Sequence, residues 1–225
     1  MHNSIKENIK GVYKKYAEEF NEKIACLELY NESYDFLLTK IQDGAAVLDL
    51  ACGPGNVSHY LKRCRPGLRI TGVDISAEMI DIARTRIQDG KFVVKDILEI
   101  ELGAKFDCVI CAFGIPYLDF NETTHLIATI SKSLKESGHF YLSYIEGSKQ
   151  GFANQSFTDD DELFVFSHPE AAILEILEQQ FLSVIKKFEI DYHEQDGTIT
   201  REIIYIGSQS KKKANSVKAI NTTAD

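Results

Sequence analysis

Apolar positions in the first part of the chain repeat with helical spacing. One stripe comprises Ile5, Ile9, Val12, Tyr13, Tyr16 and Phe20 within residues 4–20. A second stripe comprises Leu27, Tyr30, Tyr34, Leu37, Leu38 and Ile41, and Asp43-Gly44 follows it. Spacings of three and four residues bring such side chains onto one face of a helix. The pattern predicts two amphipathic helices ahead of residue 45.

From residue 45 onward, short apolar runs alternate with helical stripes. The runs predict strands at 45–51, 68–74, 91–96, 105–113 and 139–146. The segments between them predict a helix over 56–64, a helix capped by Ser76, and a helix that begins at Asn121 and ends at Gly138. Pro169 suits the first turn of a further helix, whose stripe reaches Phe181. This alternation is typical of a mostly parallel sheet covered by helices on both faces.

The end of the ordered pattern is a predicted hairpin. Two β-rich segments flank Gln195-Asp196-Gly197, and Asp-Gly between such segments is a strong hairpin signal. We therefore expect a doubly wound, mainly parallel seven-stranded α/β sheet with N-terminal helices. Residues 147–168 fit neither period, and a connection that long is often functional.

The chain is expected to form a single domain over residues 1–208, with residues 1–42 as a helical cover. Residues 209–225 are polar and lack periodicity, which predicts a disordered tail.

Composition and charge narrow the class of protein. The chain has 225 residues, of which 44% are hydrophobic and 26% charged, as in ordinary globular proteins. It shows neither a membrane-spanning apolar run nor an apolar signal-peptide core, so a cytoplasmic protein with no membrane partner is expected. Net charge is −9, and because the last seventeen residues contribute +3, the remainder carries −12. Such a body would repel nucleic acid, and we expect a monomer or homodimer.

Cys108 and Cys111 form a C-x-x-C spacing inside the apolar run FDCVICAF. Residues three apart on a strand point to opposite faces of the sheet, so the two thiols cannot share a ligand. No second C-x-x-C completes a zinc site, and we expect no metal.

The segment VLDLACGPGNVS, residues 47–58, carries the main chemical signal. A predicted buried strand runs into a turn where Gly53 and Gly55 let backbone approach a ligand, and a helix N-terminus follows. Asp74 ends the next strand, where a carboxylate suits the two hydroxyls of a ribose. The alternative is that Asp74 only caps the following helix.

Two cofactor classes fit such an edge: a dinucleotide and S-adenosylmethionine. The third position of the dinucleotide fingerprint, counted from Gly53, is Ser58 rather than glycine or alanine. Asp49 at the strand end would oppose a pyrophosphate, whereas it suits the cationic amino group of a methionine moiety. These residues favour S-adenosylmethionine.

The segment DLACGPG resembles motif I of class I S-adenosylmethionine-dependent methyltransferases, and GVDISAEMIDIAR, FVVKDI, FDCVICAFGIPYL and LKESGHFYLS are similar to the segments that follow it in order. The resemblance covers about residues 45–146. It implies ribose binding by Asp74 and adenine binding by Asp96. The other cofactor contacts that we expect in this region are Asp49, Ala51, Gly53, Ile75, Met79, Ile97, Ala112 and Phe113.

The N-terminal run YKKYAEEFN resembles a segment of many small-molecule members of this family, in which an aromatic helix lies over the cofactor. Tyr13 and Tyr16 are therefore candidate cofactor contacts, while Phe20 lacks the hydroxyl found at its position. The alternative is an amphipathic helix that only packs.

The resemblance implies transfer of a methyl group to a small-molecule acceptor. Tyr117 and His168 are candidate acceptor contacts, with His168 either a general base or an ordinary helix-entry residue. The fourth-strand segment lacks the Asn/Asp-Pro-Pro-Tyr of enzymes that methylate exocyclic amino groups of bases. A module that binds the cofactor without turnover and an NAD-dependent oxidoreductase are the alternatives, and the acceptor is left open.

Overall fold

A computed structural model describes residues 2–25, 28–101, 103–158, 161–193 and 199–210. The α-helices are α1 His2–Lys15, α2 Ala17–Ala25, α3 Asn31–Leu38, α4 Asn56–Cys64, α5 Ala77–Arg86, α6 Phe120–Ser133 and α7 Glu170–Gln179. The strands are β1 Ala46–Leu50, β2 Arg69–Asp74, β3 Lys91–Val94, β4 Phe106–Cys111, β5 Leu134–Ile145, β6 Gln150–Asn154, β7 Glu162–Phe166, β8 Leu182–His193 and β9 Ile199–Gln209.

Seven strands form one sheet in the order β3-β2-β1-β4-β5-β9-β8. Strands β1 to β5 run parallel, and β9 is antiparallel to both of its neighbours. The predicted doubly wound, mainly parallel sheet with a closing antiparallel pair is confirmed. The predicted hairpin turn at 195–197 lies outside the described residues.

The sheet separates two apolar cores, one beneath each layer of helices. Cys108 belongs to the core under α3, α4 and α5, whereas Cys111 belongs to the core under α6 and α7. Both thiols are buried. They face opposite sides of β4 as predicted, and no metal-ligand cluster occurs among the described residues.

The local structure around α6 and α7 corrects three predictions. Asp119, not Asn121, is the N-cap of α6, and it forms a capping box with Glu122. Helix α6 ends at Ser133, so Gly138 does not terminate it but lies inside β5. Phe181 lies beyond α7 in a left-handed conformation and is 44% exposed, because the chain turns there into β8.

Residues 147–168, for which no regular structure was predicted, contain two strands. Strands β6 and β7 pair antiparallel from Gln150 opposite Phe166 to Asn154 opposite Glu162, forming a separate two-stranded sheet. The N-terminal stripe is divided between α1 and α2, and the second stripe forms a 3-10 turn, Glu28–Tyr30, before α3. Leu27 lies outside the described residues.

The C-terminal boundary of the domain differs from the prediction. Gln209 belongs to β9, and its side-chain amide donates to the Ser131 carbonyl oxygen at 3.1 Å. The Ser210 amide donates to the Phe181 carbonyl oxygen at 2.8 Å. The packed domain therefore continues past residue 208, and residues 211–225 lie outside the described part. None of the described helices has the length and apolarity to span a membrane.

Candidate active site

A cavity of about 970 Å³, including its open mouth, lies at the carboxyl ends of β1, β2 and β4. Ligands of doubly wound sheets bind at this edge. Eleven of the twelve predicted cofactor contacts line it: Tyr13, Asp49, Ala51, Gly53, Asp74, Ile75, Met79, Asp96, Ile97, Ala112 and Phe113. We call this the first cavity.

The turn after β1 has a backbone that glycine permits. Gly53 and Gly55 have φ of 51° and 77°, in the left-handed region. A Cβ on Gly55 would lie 3.3 Å from the Ala83 Cβ, so glycine also lets α5 approach closely. Arg86 at the end of α5 donates to the Pro54 carbonyl oxygen at 3.0 Å and also contacts Asn56. The turn is thus fixed from outside while its amides border the first cavity.

Asp74 holds two segments of the site together. One carboxylate oxygen accepts from the Gly53 amide at 2.8 Å, and the other accepts from the Ser76 amide at 2.9 Å. The true N-cap of α5 is Ser76, whose hydroxyl accepts from the Met79 amide. Asp74 therefore supports the helix entry without being its cap, and each oxygen retains a second lone pair for a ligand hydroxyl.

Asp49 is a buried carboxylate at the end of β1. The Ser58 hydroxyl donates to it at 2.6 Å, and no lysine or arginine in the described chain pairs with it. Burial raises the pKa of Asp49 to about 7, against the lowering effect of the Ser58 hydrogen bond. A buried carboxylate with a raised pKa is suited to a cationic ligand group, whose charge would favour its ionised form.

Asp96 is joined to α1 by an ion pair. Lys6 Nζ lies 2.7 Å from one oxygen of Asp96, and the other oxygen accepts from the Leu98 amide at 2.9 Å. The Lys6 ammonium also lies 3.8 Å from Glu122. This contact joins residues 90 positions apart and brings α1 over the first cavity.

Aromatic rings close the cavity on its α1 side. Tyr13 stacks on Phe157 with ring centroids 5.5 Å apart, and its hydroxyl lies 2.5 Å from the Tyr117 hydroxyl. Phe20 packs edge-on against both Tyr13 and Phe157. Phe157 precedes β7, so the β6–β7 segment and the N-terminal helices form one cover.

Two predicted contacts lie outside the cavity. Tyr16 is buried, but its hydroxyl donates to Asp161 at 2.8 Å and its ring packs with Ile5, Ile9 and Val12. Tyr16 lies at the break between α1 and α2, where its side chain faces the β6–β7 segment instead of the ligand edge. The prediction of Tyr16 as a cofactor contact is therefore wrong in this arrangement.

His168 is also a packing residue. It is 3% exposed and its ring Nε2 lies 3.0 Å from the Leu118 carbonyl oxygen. Because a carbonyl only accepts, the ring donates from Nε2. Burial lowers the pKa of His168, which favours the neutral ring. It lines neither cavity described for this edge, so neither the acceptor contact nor the general base predicted for His168 is supported by its position.

A second cavity adjoins the first beneath the β6–β7 segment. Tyr13, Phe20, Phe113 and Tyr117 line both. Tyr30, Lys23 and Glu202 border only the second. The predicted acceptor residue Tyr117 thus lies on the boundary between the two.

Sequence reasoning missed Lys6 and Ile9 in the first cavity and Tyr30 and Glu202 in the second. Helical spacing brings Lys6 beside Ile9 and Tyr13 on one side of α1, which is a signal for the first pair. Glu202 directly precedes the buried run 203–207 of β9 and carries no local signal of its own.

Comparisons with known proteins agree with this geometry. A family profile described as "Methyltransferase domain" matches residues 47–138, the segment that contains the glycine turn, Asp74 and Asp96. A demethylmenaquinone methyltransferase from Thermotoga maritima is 37% identical over 97 residues, which is 43% of this chain and 42% of that protein.

Residues 47–138, less than half of the chain, are thus similar to a methyltransferase domain.

Other methyltransferases match more of the length at lower identity. A malonyl-[acyl-carrier protein] O-methyltransferase from Priestia megaterium is 27% identical over 169 residues, 65% of this chain and 60% of that protein. The chain spans less than two thirds of the length of these two relatives. Magnesium protoporphyrin IX methyltransferase from Synechocystis, solved with bound S-adenosylhomocysteine, has the same fold. Its TM-score is 0.64 at 19% identity, with 88% of this chain and 87% of that chain covered.

Proposed function

We propose that this chain is a class I S-adenosylmethionine-dependent methyltransferase, which binds S-adenosylmethionine in the first cavity and transfers its methyl group to a small molecule in the second. The observation that supports this most is the boundary between the cavities, where four residues line both. A donor on one side and an acceptor on the other would meet there.

The donor groups of the first cavity fit the parts of this cofactor. The carboxylate of Asp74 suits the ribose hydroxyls, and that of Asp96 suits the adenine amino group, with Ile97 against the ring. Asp49 suits the ammonium of the methionine moiety. These three carboxylates would disfavour the pyrophosphate of a dinucleotide, which supports S-adenosylmethionine over NAD.

When bound, the cofactor supplies a methyl group on a positively charged sulfur, which needs little further activation. The chain's own task is to align the acceptor with that methyl group and to exclude water. At the boundary, Tyr13, Tyr117 and Phe113 are positioned to align the acceptor. The rings of Phe20 and Phe157 cover the second cavity and would exclude water.

A small acceptor is consistent with the enclosure and the charge of the chain. The second cavity lies beneath the β6–β7 segment, and the body of the protein carries −12 outside its last seventeen residues. Nucleic acid is disfavoured by that charge. Because His168 is turned away, we assign no general base to it.

Calorimetry with S-adenosylhomocysteine and NAD, combined with mass detection of methylated products, tests the proposal. Micromolar or tighter binding of S-adenosylhomocysteine without binding of NAD is expected. Preferential NAD binding would indicate the oxidoreductase alternative. Cofactor binding without product across a broad acceptor panel would favour a binding module.

A further inference from the structure

The second cavity combines aromatic rings with an excess of negative charge. Its aromatic lining includes Tyr30, Phe113, Tyr117, Phe152, Phe157 and Tyr192. Among the described lining residues, two carboxylates, those of Glu162 and Glu202, outnumber one ammonium, that of Lys23. Aromatic faces attract cations through their negative π-electron density, and carboxylates do so directly.

Glu202 is linked through Tyr30 to Phe113 at the boundary between the cavities. The Tyr30 hydroxyl donates to its Oε2 at 2.7 Å. The Tyr30 ring packs edge-on against Phe113, with centroids 4.8 Å apart, and Phe113 lines both cavities. One aromatic ring therefore separates the carboxylate of Glu202 from the point where donor and acceptor would meet.

The negative charge of Glu202 also affects Tyr117, which lines both cavities. Burial raises the pKa of Tyr117 to about 12, and the negative charge of Glu202 contributes to the increase. Glu162, in contrast, is an exposed residue of β7. The two carboxylates thus differ in burial while bordering the same cavity.

Lys23 shows that an ammonium can lie on an aromatic face in this region. Its Nζ is 5.7 Å from the centroid of the Tyr192 ring, within the range of cation–π attraction. An acceptor with its own carboxylate would find this single ammonium against two carboxylates. An amine would find the complementary charge.

We propose that the second cavity takes a small amine with an apolar or aromatic body, and that Glu202 and the aromatic rings hold its cationic form. The methyl-transfer step rests on the proposed function, whereas the binding preference for a cation does not.

The transfer balances for such an acceptor. The ammonium first loses one proton to solvent, which exposes a nitrogen lone pair. That lone pair forms the new N–CH₃ bond while the S–CH₃ bond of S-adenosylmethionine breaks and its electron pair stays on sulfur. The products are a methylated ammonium and S-adenosylhomocysteine. Glu202 acts as a binding residue for the cationic form of the acceptor.

Calorimetry with three probes of matched shape tests the preference: benzylammonium, benzyl alcohol and benzoate. They are titrated into the full-length protein, with and without saturating S-adenosylhomocysteine. Benzylammonium is expected to bind at least about tenfold tighter than benzoate, which is the size of one favourable cation contact. Benzyl alcohol should fall between them.

Glu202→Gln is the deciding variant, and Glu162→Gln is its matched control at the exposed rim. Glu202→Gln should weaken benzylammonium by about fivefold or more and leave benzyl alcohol within twofold, whereas Glu162→Gln should change neither by more than about twofold. If Glu202→Gln fails to fold, the ranking of the three probes on the unaltered protein decides the question.

Benzoate binding as tightly as benzylammonium, undetectable benzylammonium binding, or an unchanged preference in Glu202→Gln would each overturn the inference. Failure of the proposed function looks different. In that case S-adenosylhomocysteine would not bind the first cavity, while the ranking of the probes in its absence would persist.

Discussion

Replacement of Asp74 by alanine should separate cofactor binding from folding. The structure gives each carboxylate oxygen one backbone donor, from Gly53 and from Ser76, and leaves one lone pair on each for a ribose hydroxyl. A hydrogen bond to a charged acceptor contributes about 1.5–3 kcal/mol, and two bonds to one carboxylate do not add fully, so about 3–4 kcal/mol of binding is expected to be lost. That loss corresponds to a dissociation constant about 10²- to 10³-fold weaker.

The same substitution also removes the two backbone contacts. The Gly53 amide borders the first cavity, whereas the Ser76 amide is buried, so losing their acceptor should lower the stability by about 1–3 kcal/mol. For a domain of this size, that is a decrease in Tm of about 2–12 °C. Ile70 and Val73 keep the strand in the core, and the protein should still fold.

Calorimetry with S-adenosylhomocysteine and thermal melting of the same samples give both quantities. Asp74→Asn should be milder, since one acceptor oxygen persists. Asp81→Ala is the control, because this exposed residue of α5 has its ion pair with Arg84 on its own helix and none with another described segment. If Asp74→Ala binds within threefold of the unaltered protein, the ribose assignment fails.

Three further predictions follow from the site and its borders. Because the folded pKa of Asp49, about 7, lies above its ordinary value of 3.8, its contribution to the stability of the ligand-free protein is complete below about pH 4 and is lost as pH rises through 7. Affinity for S-adenosylhomocysteine should run the opposite way and rise up to about tenfold from pH 6 to pH 8, and Asp49→Asn should abolish that rise in calorimetry. Hydrogen exchange over residues 10–21 should slow when S-adenosylhomocysteine binds, while exchange in α7 stays constant. Unchanged exchange over residues 10–21 would mean that this segment only packs against the domain and does not contact the cofactor. Truncation after Ser210 should leave Tm within about 1 °C of the full-length value, whereas truncation after Ser208 should lower Tm by removing the contacts of Gln209 and Ser210. Equal Tm values for the two truncated proteins would refute a domain boundary after Ser210.

The parallel sheet and the first cavity could be predicted because their signals are local. Each strand is a short apolar run, and the glycines and acids of the site follow the strands directly in sequence. The spacing of Gly53, Gly55 and Asp74 therefore carried enough information to place them at one edge. The α6 cap was also readable, since Asp119 has Glu122 three residues later, the pattern of a capping box.

The remaining contacts depend on pairings between distant segments. Lys6 meets Asp96 and Tyr13 stacks on Phe157 only because α1 and the β6–β7 segment pack over the same edge. The sequence of residues 147–168 shows no periodicity that predicts this packing of the β6–β7 segment against α1. The aromatic helix was predicted, but which of its tyrosines faces the ligand was not, because α1 ends at Lys15 and the break turns Tyr16 toward Asp161.

A cocrystal structure with S-adenosylhomocysteine would show directly where the cofactor binds. We expect electron density in the first cavity, with the ribose hydroxyls on Asp74, the adenine amino group near Asp96 and the ammonium near Asp49, and with the sulfur directed toward Tyr13 and Tyr117. Density for the ligand at any other edge of the sheet, or in the first cavity with the ribose away from Asp74, would contradict it.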